Sequence, residues 1–205
     1  MNTKTHIPTP MPPQMPPQTP PQTPTQMPTN SSAWDSELAA VRQRMLAGGG
    51  VPGLARPDQV AGKTGLQIMQ AMLVGALPYA HIAETLDFAL VSVGPGKAVF
   101  QGTPQLKHYN PLGSVHGGWF ATLLDSALGC AVHTSLAAGY GYTTAELGVN
   151  IVRAASSRSG PLRAIGQVLH SGRQLATAEA RIVDEAGKLY AHATTTCLVF
   201  AQKAG

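Results

Sequence analysis

From Val115 to Ala137 almost every position is apolar or small, over a length no ordinary strand reaches. The segment therefore reads as a helix with apolar residues on most of its faces. Such a helix cannot lie on a flat sheet with its back to water, so either the sheet curls around it or a partner covers it; both are expected.

The flanking sequence supplies the sheet. Before the helix, Leu86, Phe88, Leu90 and Val91 run into the turn Gly94-Pro95-Gly96, and Ala98 to Leu106 follow, which predicts a hairpin. After the break at Gly139-Tyr140-Gly141, four strands are expected: Thr143 to Arg153, Pro161 to His170, Gln174 to Val183 and Leu189 to Phe200. Ser159-Gly160, Ser171-Gly172 and Asp184 to Gly187 mark their turns. Two strands, one buried helix and four strands make an α+β domain.

Upstream, residues 1–31 repeat a Met/Thr-Pro-Pro-Gln theme and hold ten of the 17 prolines but only one charge, Lys4. This tract favours extended polyproline II and cannot build a core, so it reads as a disordered tail. A docking tract for a proline-recognising module, or a start codon further in, are the other readings. Residues 32–63 are expected to hold a short helix and a linker, with Ser32 and Asp35 at capping-box spacing, Leu38, Val41 and Met45 at helical spacing, and a stop at Gly48 to Gly50. The main domain spans 64–201 and opens with a helix carrying Leu66, Met69, Leu73 and Leu77, ended by Pro78.

Composition excludes several classes. At 43% hydrophobic the chain can pack a core, and a net charge of +4 without basic runs argues against nucleic acid as a partner. No uninterrupted apolar run approaches the roughly 20 residues that span a bilayer, so no membrane association is expected. Cys130 and Cys197 lie in apolar stretches, which suits buried thiols in a reducing cytoplasm and no metal site.

Between Lys107 and Glu146 only one side chain carries a formal charge: Asp125, in the middle of the apolar helix. An unpaired buried carboxylate is costly, and a mid-helix position is a poor place for a cap, so Asp125 is the leading functional candidate. Bonding to a neighbouring backbone group is the alternative. At the start of the same helix stands His116-Gly117-Gly118, where first-turn N–H groups have no intrahelical acceptor and can polarise a carbonyl.

Gly117 and Asp125 are eight residues apart, roughly 12 Å along a helix. They cannot both act on one carbonyl within one chain. If they serve one reaction, two helices must run antiparallel about a two-fold axis and share two equivalent sites.

The run Asn110-Pro-Leu-Gly-Ser-Val-His116-Gly117-Gly118, then Ala121 to Asp125, then Thr143-Thr144-Ala-Glu146-Leu147, resembles the PaaI-type (phenylacetic acid degradation) hotdog-fold acyl-CoA thioesterases. The resemblance covers about residues 80–200. It implies a hotdog fold, in which an antiparallel six-stranded sheet wraps a long central helix, and a homodimer or homotetramer with sheets paired edge to edge. It implies hydrolysis of a medium-chain or aromatic acyl-CoA without a cofactor. Asp125 would be nucleophile or general base, and Gly117 of the opposite subunit the N–H donor. Asn110 would lie near the thioester, Thr144 would help hold the water, and His116 would position the helix terminus.

Departures from the family pattern fall near Ile151, where an aromatic is common, and near Ala154, where a proline is common. Gly118, Trp119, Arg153, Arg158 and Arg173 are candidate substrate-binding residues, the arginines for CoA phosphates; Arg163 is a further candidate. Trp119, Phe120 and the helix from Leu66 to Leu77 are expected to contribute to the acyl pocket. A non-catalytic acyl-CoA-binding hotdog protein is the alternative. A hotdog hydratase is weaker, because position Tyr109 lacks the acid such chemistry needs. No G-x-S-x-G, G-x-G-x-x-G or H-E-x-x-H motif is present.

Overall fold

The computed structural model describes residues 32–202. The tail expected over residues 1–31 lies outside the described residues. Helix α1 (Ala33–Ala47) starts at Ser32, whose Oγ accepts from the Asp35 N–H at 3.1 Å, and ends at Gly48. Two short helices, α2 (Pro57–Val60) and α4 (His81–Thr85), flank α3 (Gly65–Leu73). In α3 the Thr64 hydroxyl accepts from Gln67 N–H while the Gln67 side chain accepts from Thr64 N–H, a reciprocal cap.

The six strands are β1 (Phe88–Gly94), β2 (Lys97–Gly102), β3 (Tyr140–Ile151), β4 (Leu162–Ser171), β5 (Leu175–Val183) and β6 (Leu189–Ala201). They form one antiparallel sheet in the order β1-β2-β4-β5-β6-β3. Helix α5 (Gly117–Thr134) packs against all six strands. Its Phe120, Leu123, Leu124, Ala127, Leu128 and Val132 are at most 1% exposed, as a helix wrapped by a sheet requires. This is the hotdog architecture.

Several boundaries differ from the sequence expectation: β3 begins at Tyr140, inside the expected break, and ends at Ile151 and not Arg153, and Leu86 caps α4 and lies outside β1. The apolar stretch is helical only from Gly117 to Thr134, because His116 caps it and Ser135 ends it. Strand β2 stops at Gly102, because Thr103-Pro104 leads into a 3-10 turn at Leu106–His108. Helix α3 stops at Leu73: Gly75 takes φ +79°, and Leu77, though buried, lies beyond the helix.

The strand order leaves β1 and β3 as the two edges of the sheet. They meet different surroundings. The outer face of β1 carries Ala89 and Val91, which pack with Leu38 and Val41 of α1 into a small second core. Helix α3 bridges β1 and α5: Gly65 N–H donates to Leu136 O, and a Cβ on Gly65 would lie 1.8 Å from His133 O. Strand β3 pairs only with β6, so its other side is open along 12 residues.

Candidate active site

Asp125 sits on the one face of α5 that the sheet leaves uncovered, together with Ser126, Cys130 and His133, which recur at helical spacing. The carboxylate is half-buried, and its Oδ1 accepts a hydrogen bond from Thr144 Oγ1 of β3 at 3.0 Å. The expectation of an unpaired, buried carboxylate is thereby corrected. The nearby strand edge supplies a hydroxyl donor, which lowers the cost of holding charge there. Asp125 still has one carboxylate oxygen without a protein donor among the described residues.

At the start of α5, His116 accepts through Nδ1 from Gly118 N–H at 2.8 Å, and its carbonyl accepts from Trp119 N–H at 3.0 Å. An accepting Nδ1 carries no proton, which leaves the ring hydrogen on Nε2. A Cβ on Gly118 would stand 3.0 Å from His116 Nδ1, so glycine keeps room for this cap. The two bonds consume the N–H groups of Gly118 and Trp119. Gly117 N–H is left without an acceptor among the described residues, at the positive end of an 18-residue helix. Its α-carbon faces Ile151 near the far end of β3: a Cβ there would be 3.2 Å from Ile151 Cδ1.

Asn110 is committed to its own loop. Its Oδ1 accepts from Leu112 N–H at 2.9 Å and Ser114 N–H at 3.2 Å, and its amide donates to Ser114 Oγ at 3.0 Å. One amide hydrogen remains for a ligand. Loop and helix terminus are tied by His116 N–H to His108 O and by Val115 N–H to Ala155 O.

Trp119 and Phe120 do not line a pocket. Trp119 is 2% exposed, stacks on His108 and donates Nε1–H to Leu86 O, while Phe120 is 1% exposed in the core. The arginines separate. Arg153 and Arg158 lie on the segment that also holds Ala155 and Ser157, beside the loop before α5; Arg153 donates to Leu189 O and lies over the Tyr190 ring. Arg173 is on the β4–β5 turn, near Ser171, whose hydroxyl meets Ser135 at the opposite end of α5. Arg163 is spent on the fold, bonded to Gln101 and Glu37 and stacked on Trp34.

The expected contribution of helix α3 to an acyl pocket has its counterpart in Met69 and Met72. A cavity of about 850 Å³ opens beside Asp125 and extends under α3 and α4 to α1. Its floor is the uncovered face of α5 with Tyr142, whose hydroxyl lies over Gly129. Burial pushes the Cys130 thiol up to about 12, with the Asp125 charge adding to the shift, so Cys130 is no thiolate nucleophile. No group of residues suited to a metal ion occurs among the described residues, and no described helix is long and apolar enough to cross a membrane.

Residues 112–191 match the thioesterase superfamily. Over 108 residues the chain is 31% identical to a 1,4-dihydroxy-2-naphthoyl-CoA hydrolase of Listeria monocytogenes, covering 53% of this chain and 86% of that one. Among solved structures, a putative thioesterase related to phenylacetic acid degradation from Ralstonia eutropha superposes with a TM-score of 0.58 at 28% identity, covering 63% of this chain and 98% of that one. The PaaI protein of the E. coli phenylacetic acid degradation operon gives 0.53 at 25% identity, over 60% of this chain and 85% of that one.

Proposed function

The chain belongs to the thioesterase superfamily, as a hotdog thioester hydrolase of PaaI type, and we propose that it hydrolyses a medium-chain or aromatic acyl-CoA to free acid and CoA at two sites shared across a homodimer. One observation carries this reading: β3 has Asp125 bonded to Thr144 near one end and Gly117 against Ile151 near the other. A long bare edge is a template for a second strand. Two copies of β3 paired antiparallel about an axis between Leu147 and Gly148 set Thr144 of one subunit opposite Ile151 of the other. The same pairing brings Asp125 of one subunit towards Gly117 of its mate. The roughly 12 Å that separates them within a chain is then no obstacle. Two such dimers can stack further into a homotetramer.

At each site the thioester carbonyl oxygen accepts from Gly117 N–H. Asp125 takes a proton from a water whose oxygen bonds to the carbonyl carbon, and Thr144 holds carboxylate and water in place. Negative charge gathers on the oxygen at the helix terminus and is stabilised there. Collapse breaks the carbon–sulfur bond, and the CoA thiolate leaves and takes up the proton. His116 positions the terminus by its cap, and Asn110 offers its remaining amide hydrogen to the thioester. Gly118 leaves space for the ligand, and Arg153 and Arg158 meet the CoA phosphates, with Arg173 reaching them from a neighbouring subunit. The free thiols Cys130 and Cys197 suit a cytoplasmic protein.

A thiol-release assay over a panel of acyl-CoAs tests the reading, with Asp125→Ala and Asp125→Asn beside wild type. Loss of the base is expected to lower kcat by about 100-fold or more. Wild type that releases thiol from no acyl-CoA refutes the reaction, and variants that match wild type refute the role of Asp125.

A further inference from the structure

The cavity beside Asp125 has a roof with its own sequence origin. Its wall opposite α5 is built by residues 42–84, all of which precede the segment that matches the thioesterase superfamily. Every methionine among the described residues, Met45, Met69 and Met72, lines it. Methionine is unbranched and adapts its shape, so three of them make a wall that conforms to a flexible occupant. Of the charged groups that line the cavity, Arg42 pairs with Asp87 at 2.9 Å, and Glu84 stands on α4. Leu46, Leu54 and Ile82 also line it and are exposed, 67%, 89% and 49%, so apolar surface continues from the cavity to solvent.

Size narrows the occupant. About 850 Å³ lies in the upper part of the roughly 300–1,000 Å³ found for small-molecule sites. A two-carbon or single-ring acyl group fills little of it. Asp125 on α5, Phe88 and Leu90 of β1, and Met45 and Leu46 of α1 all line the cavity.

We infer that residues 42–84 roof an acyl-binding cavity that selects medium-chain, unbranched alkyl groups over aromatic ones, with Met45, Met69 and Met72 setting the accepted length. The inference rests on the thioester hydrolysis proposed at Asp125 and narrows its substrate class. Each methylene buried along the wall favours the longer substrate by about fourfold until the cavity is filled.

The test uses the full chain with butyryl-, dodecanoyl-, benzoyl- and naphthoyl-CoA in thiol release, and dodecanoate alone in calorimetric titration. Met72→Trp and Met45→Trp each narrow the cavity from a different helix, and a melting curve certifies that each variant folds. Wild type is expected to prefer dodecanoyl- over butyryl-CoA by at least about 100-fold in kcat/KM. Each variant is expected to cut that ratio, and dodecanoate affinity, at least tenfold. Preference for naphthoyl- or butyryl-CoA, or a ratio unmoved in both folded variants, overturns the inference while hydrolysis stands. Dodecanoate binding that the variants weaken, without thiol release from any acyl-CoA, overturns hydrolysis and leaves the cavity standing. Absence of both overturns both.

Discussion

Gly117→Pro replaces the backbone N–H at the start of α5 with a ring carbon. Proline is favoured at the first helical position, where its missing N–H has no intrahelical acceptor to lose. Gly117 is that position, and the preceding His116 already has φ −62° and ψ 137°, the extended conformation that a residue before proline requires. A Cβ on Gly117 meets the end of the Ile151 side chain at 3.2 Å, and that side chain can turn aside. The His116 cap on Gly118 is untouched. Lost freedom in the unfolded chain stabilises such a variant by about 0.4–1 kcal/mol, so Tm should hold or rise by a few degrees. Loss of an oxyanion donor, by contrast, costs about 100- to 1,000-fold in kcat. The two readouts therefore move apart, which simple misfolding cannot imitate.

Mixing extends the same test to the shared site. Gly117→Pro and Asp125→Ala subunits, allowed to exchange, form hybrids in which one site carries both lesions and the other neither. Random pairing at equal amounts makes half the dimers hybrid, and so restores about a quarter of wild-type activity. A kcat within about threefold of wild type for Gly117→Pro, with the fold intact, refutes the donor role. Failure of mixed subunits to regain activity, despite proven exchange, refutes the cross-subunit arrangement.

Two further outcomes follow from packing and burial. Gly65→Ala would drive a Cβ to 1.8 Å from His133 O, and because both sides are backbone α3 must retreat from α5. About 3 kcal/mol of destabilisation is expected, a Tm loss of roughly 6–12 °C; a melt within about 2 °C of wild type contradicts the close approach. Burial holds the imidazoles of His108 and His133 below the ordinary histidine value. The folded chain then binds fewer protons than the unfolded one just below about pH 6.5, so stability is full above that pH and declines as pH falls through the folded values. Urea midpoints measured from about pH 7.5 down to 5.5 should fall, and less steeply in His133→Phe; a flat profile in wild type contradicts the assignment.

The sheet and α5 were legible because their signals are local. Alternation and turn chemistry mark the strands, with Pro95-Gly96 closing the hairpin at Gly96 φ +68°, and an all-round apolar stretch marks the central helix. Asp125 was legible as the single charge in that stretch, and Thr144 and Gly117 through the family motif that surrounds it. The cavity was not. Its roof depends on α1 and α3 meeting at Gly75, where a Cβ would lie 1.9 Å from Met45 O, a contact across thirty residues with no periodic signature. Trp119 looked available beside the glycines until Leu86 O, far away in the chain, claimed its indole N–H. The engagement of Asn110 with Ser114 is short-range, and the Asn-x-x-x-Ser spacing was visible, but it reads as a turn only once Gly113 is known to take φ +84°.

The two sheet edges divide inheritance as well as space. Everything invoked for bond breaking lies between Asn110 and Thr144, on α5 and the bare edge proposed to pair with an identical copy, where any change would have to suit both subunits at once. The covered edge answers to no such symmetry. Substitutions in α1, α3 and α4 alter one wall of one chain, so the range of molecules admitted can change while the proposed dimer edge and chemistry stay as they are. An engineer wishing to redirect this scaffold would begin at Met45, Met69 and Met72, and leave β3 alone.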